Sequence, residues 1–326
     1  MDRIPASSAR RALKILGDAW VLRILRDAFR GTRRFNEWQQ AIGLPRAVLS
    51  NRLKRLADAG IFRKWAPADA PTRPEYWLTE EGQDLWSVLL AMWAWEVKWD
   101  PDPRDQRLRM VHLDCGQEAL PVSSCGACGK TLSPFDTEAK PGPGARNERK
   151  SPERSLRRSG IATQRGSEIS FRSQNAKIHG NQWNSALVAA AFKGARRFGN
   201  FEEQLRISPN ILSRRLAEFV AMKVFDRHAY QANPPRYEYR LTEKGRDLFP
   251  VTLELIRWGD RWLTKSAGPP VLVMHKPCGG QVSHQFRCSH CGQVLERREV
   301  HLSYSRSVEP LAVKTNMTRS RAKAAR

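Results

Sequence analysis

Two residue types that hold soft metal ions recur in this chain at one spacing. His112, Cys115, Cys125 and Cys128 read H-x2-C-x9-C-x2-C, and His275, Cys278, Cys288 and Cys291 repeat it. Glycine follows the second and last position of each set, at Gly116, Gly129, Gly279 and Gly292. Paired knuckles with small residues at their turns are what a tetrahedral zinc ion requires, because four ligand atoms must converge about 2.0–2.3 Å from the metal. Three cysteines per set cannot be closed by internal disulfides, whereas three thiolates and one imidazole complete a structural zinc site. The expectation is one structural zinc per module, with redox-active or simply reduced thiols as the rival. No open coordination position is implied, and no nucleophile–base pair, phosphate loop or paired-carboxylate site is evident, so the chain does not read as an enzyme. His284 and His290 lie near the second set as competing ligands, while His179, His228 and His301 read as packing or surface residues.

The elements that must position these ligands are themselves duplicated. A gapless shift of 163 residues makes 30 of the 88 pairs from Leu13 to Asp100 identical, which marks a duplicated domain. Trp20 meets Trp183, Arg33-Arg34-Phe35 meets Arg196-Arg197-Phe198, and Trp95 and Trp99 meet Trp258 and Trp262. In the first copy, helices are expected at Arg10–Leu16 and at Asp18–Arg30, with Asp18 as N-cap. A short helix at Phe35–Ile42, a break at Gly43-Leu44-Pro45 and a second helix at Arg46–Ala59 follow, ending at Gly60. Two short strands, Ile61–Trp65 and Glu75–Leu78, flank a Pro-rich tip at Pro67–Pro74. Thr79 then starts a long helix to about Trp99, apolar on more than one side. One domain core uses one stripe, so the second is expected to pack against another copy; an aromatic pocket for a small-molecule effector is the alternative use of its tryptophans.

Helix, turn, helix and hairpin is the order of a winged helix-turn-helix, which offers its second helix to the major groove and its hairpin to flanking backbone. Leu49, Leu53 and Leu56 share a buried stripe, leaving Arg46, Ser50, Asn51, Lys54 and Arg55 outward, with Arg73 on the tip and Arg33 and Arg34 at the entry. In the second copy Leu212, Leu216 and Phe219 bury, and Asn210, Ser213, Arg214 and Arg215 face out, with Arg196, Arg197 and Arg236 as the matching cations. Ala217 and Glu218 replace Lys54 and Arg55, so the second face is less cationic.

The charge balance names the class of partner. Lys and Arg outnumber Asp and Glu by 56 to 33 in 326 residues, a net charge of +23, and the natural counterpart is a polyanion. No apolar run approaches 18 residues and Met1–Arg11 lacks a signal-peptide core, so no membrane partner and a cytoplasmic, nucleoid-associated location are expected. The organisation expected is a winged helix domain over 1–100, a zinc-ribbon-like module over 101–138, a basic disordered linker over 139–168, a second winged helix domain over 169–265, a second module over 266–303 and a basic tail over 304–326. The fold class is mainly α with small β-hairpins.

Gly17, Trp20, Arg34-Phe35, Leu49-Ser50-Arg52-Leu53, Glu75-Tyr76-Leu78-Thr79 and Gly82 resemble the HxlR-type winged helix-turn-helix transcriptional regulators of bacteria. The second copy matches as well, through Ser208-Pro209-Asn210-Ile211-Leu212-Ser213-Arg215-Leu216 and Glu238-Tyr239-Arg240-Leu241-Thr242. The resemblance implies double-stranded DNA as partner and dimerisation through terminal helices. A tandem chain then becomes either an intramolecular pseudo-dimer or half of a larger homodimer. Some members sense oxidants through a cysteine before the first helix, where this chain has Ala6-Ser7-Ser8-Ala9. A zinc-dependent protein-interaction scaffold and a zinc or redox sensor are the alternative readings.

Overall fold

The computed structural model describes residues 3–66, 73–100, 108–149 and 174–304. The expected disordered linker lies outside these residues from 150 on, as do the wing tip at 67–72 and the tail beyond Tyr304. The first half opens with β1 (Arg3–Pro5) and α1 (Ser8–Leu16), which Ser7 caps through the Arg10 N–H. α2 (Ala19–Phe29) is capped by Asp18, whose carboxylate accepts from the Trp20 and Val21 N–H groups. α3 (Phe35–Ile42) ends at Gly43 in the left-handed region, and α4 (Arg46–Asp58) leads into the hairpin β2 (Phe62–Trp65) and β3 (Glu75–Leu78). The long helix is in fact two, α5 (Glu80–Gln83) and α6 (Trp86–Trp99), broken at Asp84-Leu85.

Short strands follow: β4 (Leu108–His112), β5 (Gln117–Glu118), β6 (Pro121–Cys125), β7 (Thr137–Pro141) and β8 (Asn147–Arg149). The second half repeats the first with α7 (Gln174–His179), α8 (Gln182–Phe192), α9 (Phe198–Leu205), α10 (Pro209–Ala221), β9 (Phe225–Gln231), β10 (Arg236–Leu241), α11 (Glu243–Arg246), α12 (Phe249–Leu263), β11 (Val271–His275), β12 (His284–Cys288) and β13 (Val300–Tyr304). β7 and β8 correct the expected linker. Residues 139–141 and 147–149 are strands because β11 and β1 supply partners for their backbone groups, a tertiary rescue that composition does not reveal.

The two halves pack around a pseudo-twofold axis. The Trp95 indole N–H donates to the Lys244 carbonyl at 3.0 Å, and Trp258 donates to the Glu81 carbonyl at 2.9 Å; a shift of 163 turns one contact into the other. Trp99 donates to Asp247 and Trp262 to Asp84, both at 2.8 Å. Asp18 and Asn181, also 163 apart, bridge to each other near the axis. Each tryptophan leaves its own half: Trp258 is fully buried in the apolar core of the first half, and Trp95 is buried in that of the second. Truncating either to alanine would cost roughly 3–5 kcal/mol, so these rings are principal anchors of the interface. The stripe expected to meet another copy, Trp86, Leu90, Trp93 and Val97, lies in the first half's core together with Val251, Leu255 and Trp258 of the second half. The residues that cross into the second core are Trp95, outside both stripes of the helix, and Trp99, from the other stripe.

α1 lies across α12. Its approach needs Gly259, where a Cβ would stand 2.5 Å from the Ser8 carbonyl oxygen. The terminal strands also cross over: β4 pairs with β13, β7 with β11 and β6 with β12, all antiparallel. In the last pair Ser123 faces Phe286, its own counterpart at a shift of 163, so the axis passes through this pair.

Candidate nucleic-acid interface

α4 buries Leu49, Leu53 and Leu56 and exposes Arg46, Ser50, Asn51, Lys54 and Arg55. Lys54 pairs with Asp58 at 3.1 Å, with both side chains largely in water. Such a pair holds at most a few tenths of a kcal/mol and releases its cation readily to a phosphate. Arg46 donates to Gln39 and lies over the Phe35 ring. α10 buries Leu212, Leu216 and Phe219 and exposes Asn210, Ser213 and Arg214. Glu218 draws Arg214 to 3.8 Å and Arg215 to 2.8 Å.

Arg215 departs from its expected outward position. Its side chain is mostly buried, like that of Arg52 at the same place in α4. Arg52 forms a buried ion pair with Asp18 at 2.9 Å; Asn181 stands where Asp18 would be, so Arg215 turns to Glu218 instead. Arg33 is also turned inward. Its guanidinium donates to the Ala28 carbonyl at 2.6 Å and the Thr32 carbonyl at 3.0 Å, over the Trp77 ring. Arg34 and Arg197 are exposed and pair with Glu75 and Glu238, joining the entry of α3 and α9 to the wing. Arg34 also belongs to an N-terminal lock: Glu37 accepts the Arg33 and Arg34 backbone N–H groups, which hold its carboxyl below the usual range. Arg73, Arg196 and Arg236 are exposed.

The wings carry cations that the sequence reading passed over. Arg63 and Lys64 on β2 and Arg227 on β9 are exposed, as are Trp65 and Trp77 of the first hairpin at 48% and 41%. The signal was present as basic residues on either side of a turn rather than at its tip. β9 and β10 pair over six positions and β2 and β3 over four, so the described part of the second wing is longer.

The His and Cys residues converge, but not as expected within each module. His112 and Cys115 meet Cys288 and Cys291, while His275 and Cys278 meet Cys125 and Cys128. His112 Nδ1 lies 3.4 Å from Cys115 Sγ and 3.3 Å from Cys291 Sγ, and Cys115 Sγ lies 3.9 Å from Cys288 Sγ. In the other cluster His275 Nδ1 lies 3.4 Å from Cys128 Sγ and 3.3 Å from Cys278 Sγ. Thiolates about 2.3 Å from a tetrahedral ion stand about 3.8 Å apart, and an imidazole nitrogen about 3.6 Å from each sulfur. Both donor sets fit a metal ion.

Register explains the exchange. β6 and β12 run antiparallel, with His284 opposite Cys125 and Cys288 opposite Pro121. At about 3.4 Å per residue, β6 carries Cys125 roughly 14 Å from Pro121. The Pro121 end, where the Ser289 N–H donates to the Leu120 carbonyl, therefore receives the second half's knuckle. Burial pushes the Cys125 thiol up, but the Ala127 and Cys128 N–H groups directed at its sulfur bring it below its ordinary range; Cys288 is treated alike by Cys291 and His290.

His284 joins neither cluster. Its Nε2 is 2.8 Å from Ser123 Oγ and its Nδ1 meets Glu254, which also receives Ser87 and Arg257. Burial pushes the Glu254 carboxyl up, yet His284, Arg257 and Ser87 together hold it below the usual range. Arg257 reaches across to Asp84 at 3.1 Å. The sequence did hold a sign of this knot, since Glu254 and Arg257 interrupt an apolar helix where the first half has Ala91 and Ala94. Glu254 and Ser123 are both buried, so the chain of hydrogen bonds braces the axis.

Residues 15–103 and 178–267 each match the family described as HxlR-like helix-turn-helix. The chain belongs to that family. It is a DNA-binding transcription regulator of the HxlR-like type, with the family unit present twice. It is 40% identical over 124 residues to an uncharacterized HTH-type transcriptional regulator of Mycobacterium tuberculosis, covering 38% of this chain and 78% of that protein. Two regulators of the same description from Bacillus subtilis, YdeP and YvaP, are 35% and 33% identical, covering 26% and 27% of this chain and 67% and 83% of their own lengths. Among the described residues of this HxlR-like chain, no helix is long and apolar enough to cross a membrane.

Proposed function

We propose that the two HxlR-like units act as one intramolecular pseudo-dimer that reads paired half-sites on duplex DNA. The observation that carries this reading is the pairing of two outward cationic helices, α4 and α10, about an axis on which Trp95 and Trp258 exchange places. Ser50, Asn51, Lys54 and Arg55 in the first half, and Asn210, Ser213 and Arg214 in the second, meet base edges and phosphates. Arg46 and Arg196 reach phosphates beside them, and Arg34 and Arg197 do so on leaving their glutamates. Arg63, Lys64, Arg73, Arg227 and Arg236 hold flanking backbone from the wings. Two-fold docking of this kind places the helices in successive major grooves about 34 Å apart. The Cys3His composition of each cluster supports Zn2+ as the ion it holds, in a closed structural site.

Selection of bound genomic fragments, followed by footprinting, tests the DNA reading. The expected result is two protected half-sites one helical turn apart, an affinity that falls steeply with salt, and loss of binding in an Asn51→Ala/Lys54→Ala variant whose circular dichroism is unchanged. Salt-insensitive binding, or an unaffected variant, would overturn it.

A further inference from the structure

We infer that each metal ion is held jointly by the two halves of the chain, so that the pair of ions forms a clasp across the pseudo-twofold axis. The inference rests on the metal reading above and goes beyond it, because it concerns which ligands share an ion and what the ion therefore joins. One site takes His112 and Cys115 from the first half and Cys288 and Cys291 from the second. The other takes Cys125 and Cys128 from the first half and His275 and Cys278 from the second. Neither half alone holds more than two ligands of either site.

The backbone supports this division independently of the thiols. The knuckles sit at the ends of strands that pair across the axis, and Gly126 N–H donates to the Ser283 carbonyl at 2.6 Å beside Cys125. Cys288 ends β12 opposite Pro121. A module-local ion would have to draw Cys125 back along β6 and break these crossed pairs. The ions therefore link positions more than 140 residues apart, 147 for Cys128 with His275 and 179 for His112 with Cys291. Metal binding and closure of the ribbon region become one event. Each ion adds a cross-link to an interface that α1, α6 and α12 already pack, and completing a site demands both halves at once.

Metal counting by native mass spectrometry of the full chain separates shared from local ligation. The wild-type chain is expected as a monomer carrying two zinc ions. In Cys115→Ser/Cys291→Ser both substitutions fall in one shared site, so one ion remains. Local ligation instead weakens both sites equally and leaves two ions or none. Cys115→Ser/Cys125→Ser reverses the pattern: shared ligation leaves two or none, local ligation leaves one. Cys125→Ser/His275→Ala repeats the first test on the other site, with one ion expected, should the first variant fail to fold. Cobalt substitution of the ion retained in each single-site variant is expected to show sulfur-to-cobalt charge-transfer absorption from three thiolates. The local counting pattern overturns the clasp while leaving the zinc reading standing. A wild-type chain without metal overturns the zinc reading itself, and a dimer mass that collapses on chelation overturns sharing within one chain.

Discussion

The two halves share a backbone plan and divide its work unequally. In the first, Arg52 lies buried against Asp18, and among the described residues Asp58 is the acid that pairs with the outward cations Lys54 and Arg55 of α4, through Lys54. In the second, Asn181 offers no charge to Arg215, and Glu218 occupies the place of Arg55, drawing both Arg214 and Arg215. A helix whose cations are already paired with an internal carboxylate has less field to offer a phosphate. Both halves thus share the helix-turn-helix shape, while the exposed cations of the first are the less engaged by internal carboxylates, so on the proposed reading the attraction for DNA is stronger there.

The largest expected effect comes from removing the carboxylate beneath the first reading helix. Asp18→Ala should cost roughly 3–5 kcal/mol, because Arg52 is left buried without its partner, whereas Asn181→Ala should cost about 1 kcal/mol through its cap on Trp183 alone. Urea unfolding of the two variants measures this, and equal losses would erase the asymmetry. Next comes the exchange of reading faces. Lys54→Ala/Arg55→Glu, which gives α4 the residues of α10, should weaken DNA binding about tenfold or more and shrink the salt slope by about two. Ala217→Lys/Glu218→Arg should strengthen binding by a smaller factor, since it also frees Arg214. Anisotropy titrations at several salt concentrations decide between this and two equivalent halves.

A third difference is a buried titratable group. His179 takes the place of Leu16 and is pushed down to about 3 by burial, with Nδ1 facing Ser185 at 3.2 Å and Nε2 unpartnered. Below pH 6.5 the unfolded chain takes up a proton that the folded chain refuses, so stability falls as pH drops from 6.5 toward 3. His179→Leu should remove about 1–2 kcal/mol of that loss between pH 7 and pH 5, seen as a flatter melting temperature against pH. The smallest effect concerns two turns. Gly43 and Gly60 occupy left-handed backbone in the first half, while the second places Arg206 and Lys223 there, at φ 51° and 56°. Arg206→Gly and Lys223→Gly should each stabilise by about 0.5–1 kcal/mol, and calorimetry showing a loss instead would mean that these side chains do other work.

Much of this was legible from residue order. The repeat, the two helices of the docking unit, the hairpins, and the caps at Asp18 and Thr79 follow from local signals, and the structure places them within a residue or two. Arg215 was misplaced because helical periodicity assigns a face without knowing what lies beneath it, and Arg33, in the turn before α3, because nothing local shows that its guanidinium folds back onto the Ala28 and Thr32 carbonyls. Aligning Arg215 with Arg52, rather than reading its own helix alone, would have shown that the position points inward. The strands at 139–141 and 147–149 were invisible because their partners come from β11 and the N-terminus, and no local pattern encodes a partner over 100 residues away.

The eight His and Cys residues proposed as ligands were legible in the sequence, since their types and spacing alone mark two tetrahedral donor sets. Their grouping into two clusters was not, because nine residues between knuckles permit a local pairing as readily as the crossed one observed. Only the tertiary structure decides it: β6 and β12 pair antiparallel across the axis, and an extended strand cannot fold back to return Cys125 to Cys115.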